Sequence, residues 1–176
     1  MNLDRPPGSL DLFCFASKNP ENIETGIQNQ LWAVASLLNE RSMAARVTKA
    51  GRYLRRGAYG VLYLNTTSSF TTPFIVKSRA SLDKVVKNVW PEAWRLPFEI
   101  ETLGDLSRQI SGLEAAKRWP VLTRRLAKND GRGGVSAAMN ITGTTVFVPV
   151  PITEDDWQTI LDDLATPRNT VLNPAA

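Results

Sequence analysis

Histidine is missing altogether from the 176 residues. Its absence removes histidine-ligated zinc sites, Ser-His-Asp and Cys-His nucleophile systems, and imidazole acid/base catalysis. Carboxylate or lysine chemistry would survive, but nothing in the sequence arranges the acids for it. Cysteine occurs once, as Cys14, so no internal disulfide can form; its apolar neighbours mark it as a buried thiol of a reducing compartment. Long apolar runs are missing too. Leu10 to Ala16 is interrupted by Asp11 and is too short and poorly flanked for a signal peptide. No stretch approaches the length of a bilayer span, and the expected location is cytoplasmic.

Acids are absent from one long stretch. Between Arg41 and Leu82 there is none, against eight bases: Arg41, Arg46, Lys49, Arg52, Arg55, Arg56, Lys77 and Arg79. A second basic block, Lys117, Arg118, Arg124, Arg125, Lys128 and Arg132, is interrupted only by Asp130, whereas Glu154, Asp155, Asp156, Asp162 and Asp163 gather near the end. A net charge of +4 therefore understates the polarity of the chain. Such polarity suits a face built for a polyanion, nucleic acid being the commonest. A solvated basic surface is the alternative.

What is present describes an ordinary globular chain, 43% apolar and 22% charged, long enough to bury a core without disulfides or metals. One domain is expected over 11–165, with a flexible lead-in at 1–10 and a tail or linker at 166–176. Leu12 to Ala16 reads as a buried strand. Asn19 and Pro20 then read as N-cap and first position of a helix, whose face carries Ile23, Ile27 and Leu31, with Trp32 at its end. Residues 36–58 have helical character broken by Gly51 and Gly57. Ala58–Asn65 and Phe70–Ser78 read as a hairpin across the turn Thr66 to Ser69. Residues 105–128 read as two helices broken at Trp119-Pro120, Thr144 to Pro151 as a late strand, and Thr153 as the N-cap of a last helix carrying Trp157. The loop Asn129 to Gly134 lacks the glycine spacing of a nucleotide-phosphate loop. No cofactor and no metal is implied.

The chain is organised around Trp90-Pro91-Glu92-Ala93-Trp94-Arg95-Leu96-Pro97-Phe98. Two prolines rule out a continuous helix, so both indoles are expected on a rigid loop leading into a strand beginning at Phe98. Two such indoles are either core anchors or the walls of a slot for a flat ligand.

The run Phe13-Cys14-Phe15-Ala16-Ser17, then Asn22-Ile23, Ile27 and Leu31-Trp32-Ala33, resembles the opening of YTH domains. These are readers of N6-methyladenine within the PUA-like superfamily, which also includes the prokaryotic EVE domains. Val89-Trp90, Trp94 and Arg95-Leu96-Pro97-Phe98 resemble that family's two-Trp loop, and Gly143 to Leu164 its final strand and helix. The resemblance covers about half the chain. It implies an α+β, PUA-like fold: a twisted, barrel-like sheet flanked by helices. It implies a cage of Trp32, Trp90 and Trp94, with Asn22 reading a ring nitrogen and Ala33 offering its backbone carbonyl to the exocyclic N–H. Ser17 and Lys18 would line the pocket, and Arg95, Lys49, Arg52, Arg55, Arg56 and Arg79 would hold phosphates. The short Trp90–Trp94 spacing resembles the EVE side, where 5-methylcytosine and other modified bases are read.

The leading expectation is thus a non-enzymatic reader of a flipped, methylated base, in DNA in preference to RNA. Its partners would be nucleic acid and a fused or separate nuclease or NTPase module of a modification-dependent restriction system, with no membrane involved. Two other classes stay open. One is a PUA-like amidohydrolase acting on modified nucleosides, for which Lys18 and Glu21 are the sole candidates. The other is a protein-interaction domain whose tryptophans are all core.

Overall fold

The computed structural model describes residues 6–167, so residues 1–5 of the expected lead-in and 168–176 of the expected tail lie outside the described residues. The first strand, β1 (Leu10–Ser17), is buried on both faces, which is why Leu12 to Ala16 is apolar without alternation. Phe13 and Phe15 point into one hydrophobic core, Leu12 and Cys14 into a second. Asn19 caps α1 (Pro20–Asn29), its side chain accepting the Asn22 backbone N–H at 3.0 Å.

The helix stops one turn earlier than its apolar spacing predicts. Gln30 adopts a left-handed conformation with φ +48°, and the chain turns into β2 (Leu31–Ala35). Trp32 is therefore a strand residue and not the end of a helix. Asn39 caps α2 (Glu40–Tyr53), which runs through Gly51; only Gly57, at φ +91°, lies in a true break.

The hairpin forms as expected from β3 (Tyr59–Leu64) and β4 (Ser69–Val76). Gly60 is required there: a Cβ would lie 2.0 Å from Cζ of Phe74, whose ring crosses the strand. A two-residue strand, β5 (Val85–Val86), follows, and then β6 (Trp94–Thr102). The tryptophan loop is shorter than expected, since Trp94 itself opens the strand. Pro97 is tolerated inside β6 because the ladder is broken there: Leu96 has φ +59°, and Leu96 and Pro97 together face Ala33.

The second half supplies β7 (Gln109–Ser111), α3 (Gly112–Arg118), α4 (Pro120–Lys128) and α5 (Gly134–Ala138). The break at Trp119-Pro120 falls where the sequence places it. The expected strand over Thr144 to Pro151 is a correction. Gly143–Thr145 is a 3-10 turn, Phe147 has φ +69°, and only β8 (Val150–Ile152) pairs. Pro149 and Pro151 lack the N–H groups that a longer ladder would need. The last helix, α6 (Glu154–Leu164), has a full capping box between Thr153 and Asp156.

The strands form one sheet in the order β2-β6-β4-β3-β1-β8, with β5 also on β6 and β7 also on β4. The pair β1–β3 is parallel and the others are antiparallel. Each face carries its own core. One holds Trp32, Trp90, Trp94, Phe15, Phe98 and Phe147; the other holds Trp119 and Trp157. The parallel strands β1 and β3 end side by side at Ser17 and Leu64, and the candidate site opens beyond those ends.

Candidate nucleic-acid interface

A cavity of about 530 Å³ is lined by the end of β1, the start of α1, strand β2, the tryptophan loop and a single residue of α2, Arg46. That volume falls within the roughly 300–1,000 Å³ usual for small-ligand sites. Among the lining residues are Ser17, Lys18, Asn22, Trp32, Ala33 and Trp94 from the expected set. A second depression of about 420 Å³, at Lys128, Asn129, Asp130 and Arg132, has no apolar wall.

The three indoles pack together, but they do not form three walls. Trp32 meets Trp94 at 5.5 Å between ring centroids and 77°, and Trp90 at 5.9 Å and 79°. Trp90 and Trp94 are stacked face to face at 4.2 Å and 10°. A base inserted between two rings needs about twice the 3.5–4.0 Å contact distance, so nothing enters between those two. Trp90 does not line the cavity. Its indole N–H instead donates to the Asn22 carbonyl at 3.0 Å. The expectation of a three-walled cage is corrected to a corner of two near-perpendicular indoles, Trp32 and Trp94, with Trp90 behind. All three are also core residues, 1%, 2% and 7% exposed for Trp32, Trp90 and Trp94. Trp32 is seated by Gly26 of α1, where an added Cβ would lie 2.9 Å from the indole Cε3.

The polar groups divide by what already occupies them. The Ser17 hydroxyl donates to the Asn19 carbonyl at 2.8 Å and accepts the Asn19 N–H, so it shapes the turn. Asn22 uses its N–H for the cap and its carbonyl for Trp90, which leaves its side-chain amide facing the cavity with donor and acceptor available. Ala33 stands at the break in the β2–β6 ladder, where Pro97 has no N–H to offer. Lys18 is exposed at the mouth. Such a site can stack a flat ring on one indole, enclose a small apolar group against the other, and hydrogen-bond a polar edge.

The expected phosphate-binding residues are placed less favourably; none of them lines the cavity. The Lys49 amine donates to the Thr144 carbonyl, fastening α2 to the 3-10 turn. Arg52 lies over the Tyr53 ring at 5.1 Å, and Arg55 donates to the Arg52 carbonyl. Arg55 and Arg56 precede Gly57, whose N–H bonds to the Val76 carbonyl at the end of β3 remote from the cavity. Arg79 is exposed between β4 and β5, and Arg95 is half-buried in the ladder. These bases are dispersed: Lys49 and Arg52 lie on α2, Arg55 and Arg56 just beyond it, Arg79 between β4 and β5, and Arg95 within β6.

Sequence reasoning missed Arg46, Asn19, Asn65 and the Thr142-Gly143 turn, all of which line the cavity. Arg46 had a readable signal, since it falls within the inward stripe of Met43, Val47 and Ala50 on α2. Asn65 and Thr142 had none.

Two solved structures place this architecture. The YTH domain of Zygosaccharomyces rouxii MRB1, in complex with N6-methyladenosine RNA, is 17% identical; the match covers 90% of this chain and 88% of that one, with a TM-score of 0.51. The chain has a YTH-like fold. A hypothetical protein from Leishmania major shows a similar relationship at 14% identity, covering 87% of this chain and 93% of that one, with a TM-score of 0.50. No protein-family model matches, and no curated protein matches. The YTH-like fold is the α+β, PUA-like architecture that the opening strand, helix and Trp32 resemble. Among the described residues no cluster of three or more His, Cys, Asp or Glu is placed to hold a metal, and no helix is long and apolar enough to cross a membrane.

Proposed function

We propose that this chain is a non-enzymatic reader of a methylated base, taking one flipped base into the cavity beneath Trp32 and Trp94. The observation that carries this is the right-angled pair of indoles on a cavity that also presents the uncommitted Asn22 amide. A methyl group on an exocyclic nitrogen or ring carbon adds a small apolar, slightly positive patch. One indole face can stack on the base while the second encloses the methyl group. Stacking on an aromatic contributes about 1–3 kcal/mol per base. Rejecting the unmethylated base by cavity fit alone contributes a similar amount, so the edge must be read as well. Asn22 is the residue for that task.

The fold supports this reading, because the MRB1 YTH domain is described with N6-methyladenosine RNA. The compact Trp90–Trp94 spacing resembles EVE domains, so methylated DNA is the preferred target, with N6-methyladenine and 5-methylcytosine both within range. A base in duplex DNA must be unstacked at a cost of a few kcal/mol, which the enclosed corner offsets. The role follows as the specificity module of a modification-dependent restriction system, coupled to a nuclease or NTPase.

The test is a binding panel of single strands and duplexes, DNA and RNA, carrying N6-methyladenine, 5-methylcytosine, 5-hydroxymethylcytosine or no modification. At least one modified strand should bind about tenfold or more above its unmodified match. Asn22→Ala should remove most of that preference without unfolding the protein. Equal binding of all strands by the wild type overturns the reading, and turnover of a modified nucleoside would move the site to the hydrolase class.

A further inference from the structure

Arg46 is a cation in an unusual position. It lies on the inward face of α2, within the stripe of Met43, Val47 and Ala50, and is half-buried. It lines the same cavity as Trp32, Trp94 and Asn22. Several other arginines find acceptors, though half-buried Arg95, away from the cavity, also leaves its Nε without one. Arg124 pairs with Asp156 and Arg118 with Asp163, Arg125 donates to the Ala138 carbonyl, and Arg108 donates to the carbonyls of Ala165 and Asp162. Arg46 has no hydrogen-bond or ion-pair partner among the described residues. Glu92, the one carboxylate lining the cavity, is exposed on the tryptophan loop and forms no ion pair with it. Burial, which strips water from the guanidinium, lowers the Arg46 pKa from its ordinary value.

The helix that carries it is held in place. Lys49, one turn along α2, is fastened to the Thr144 carbonyl, and this fixes the helix against the turn whose Thr142 and Gly143 line the cavity beside Arg46. A flipped base does not arrive alone, because its sugar and its phosphodiester follow it to the mouth of the site. A guanidinium offers planar, paired donors that match two phosphate oxygens, and the bond is charge-assisted.

We propose that Arg46 receives the phosphate attached to the nucleotide whose base occupies the cavity, so that the site captures a nucleotide and not a bare base. This rests on reading the cavity as a modified-base site. It assigns a role to the half-buried one of the two cations that line the cavity, Lys18 being exposed at the mouth, in place of the dispersed bases that the charge pattern suggests. It also predicts that one linkage beside the modified base matters more than the others.

The experiment titrates wild type and Arg46→Gln with N6-methyl-2′-deoxyadenosine and 5-methyl-2′-deoxycytidine, and with the 5′- and 3′-monophosphates of each. Tryptophan fluorescence reports binding. Wild type should bind one monophosphate about tenfold or more above its nucleoside. Arg46→Gln should bring the two within about twofold by lowering the monophosphate affinity more than the nucleoside affinity, and should lower the salt slope for oligonucleotide binding by about one. Arg46→Lys, which keeps the charge and loses the fork, should retain part of the preference and guards against a folding artefact. Equal loss of nucleoside and nucleotide affinity in Arg46→Gln would place the guanidinium on the base and overturn the proposal. So would an unchanged monophosphate preference. If wild type prefers no modified nucleoside or oligonucleotide, the base reading itself fails and takes this inference with it. That outcome is separate because it is read on the wild type alone.

Discussion

The Trp90 indole N–H reaches back 68 residues to hold the Asn22 carbonyl at 3.0 Å, while its ring lies flat against Trp94. This one side chain therefore supports both the aromatic wall and the polar reader. Trp90→Phe keeps a stacking ring and removes the hydrogen bond, which contributes about 0.5–1.5 kcal/mol net. Binding of the modified oligonucleotide should weaken several-fold, and the melting temperature should fall by a few degrees because a buried ring is reduced in size as well. An unchanged affinity would show that the position of Asn22 does not depend on Trp90.

Gly26→Ala tests the seat of Trp32. Alanine is the better helix former by about 1 kcal/mol, so helix propensity alone favours the change. The added Cβ, however, would approach the Trp32 indole at 2.9 Å and the Leu31 carbonyl at 3.0 Å. The variant should fold, with the Trp32 ring displaced and the preference for the modified base reduced. Calorimetry together with the binding panel checks it; full preference at higher stability would show that the indole can shift without consequence.

Trp157 belongs to the opposite core, stacked on Tyr59 at 4.4 Å and 18°. Trp157→Ala should cost about 3–5 kcal/mol and leave no modified-base discrimination in whatever fraction remains unfolded. Trp32→Ala should be costly too, because Trp32 is the more deeply buried of the two. A Trp32→Phe replacement is therefore the better probe of the wall, expected to fold and to lose part of the methyl preference. Chemical denaturation curves separate the two tryptophans.

Asp156 couples stability to pH. Its carboxylate is buried, which alone would raise the pKa. The hydrogen bond from Arg124 at 2.6 Å, the Thr153 backbone N–H, the Arg124 charge and the Thr153 hydroxyl together outweigh burial and hold it below the ordinary value. A depressed folded-state pKa stabilises above the unfolded value of about 3.9 and ceases to do so as pH falls through the folded value. The melting temperature of the wild type should fall between pH 5 and lower pH more steeply than that of Asp156→Asn, which should start lower at pH 7. Parallel curves would remove Asp156 from the acid response.

Much of this protein is local and was legible in the sequence. Asn19-Pro20 and Thr153 with Asp156 cap their helices because the side chains and backbone N–H groups involved lie within three residues of one another. The apolar run of β1 has no alternation because the sheet is covered on both faces, and three motifs in order, the opening strand and helix with Trp32, the two-Trp loop and the final strand and helix, brought the YTH resemblance into view. The places where local reading failed are those governed by contacts between distant segments. Trp32 became a strand residue when β2 paired with β6, and Trp94 joined that strand for the same reason. Trp90 turned its ring onto Trp94 and its N–H onto α1, so it stands behind the wall and not in it. The basic residues dispersed because sequence neighbours such as Lys49 and Arg56 fall at different ends of the sheet, and charge counts carry no information about strand ends. Arg46 was one base among eight in the acid-free stretch from Arg41 to Leu82. Only the packing of α2 against the cavity gave it a place apart, because the loss of water around one guanidinium depends on what the rest of the chain puts beside it.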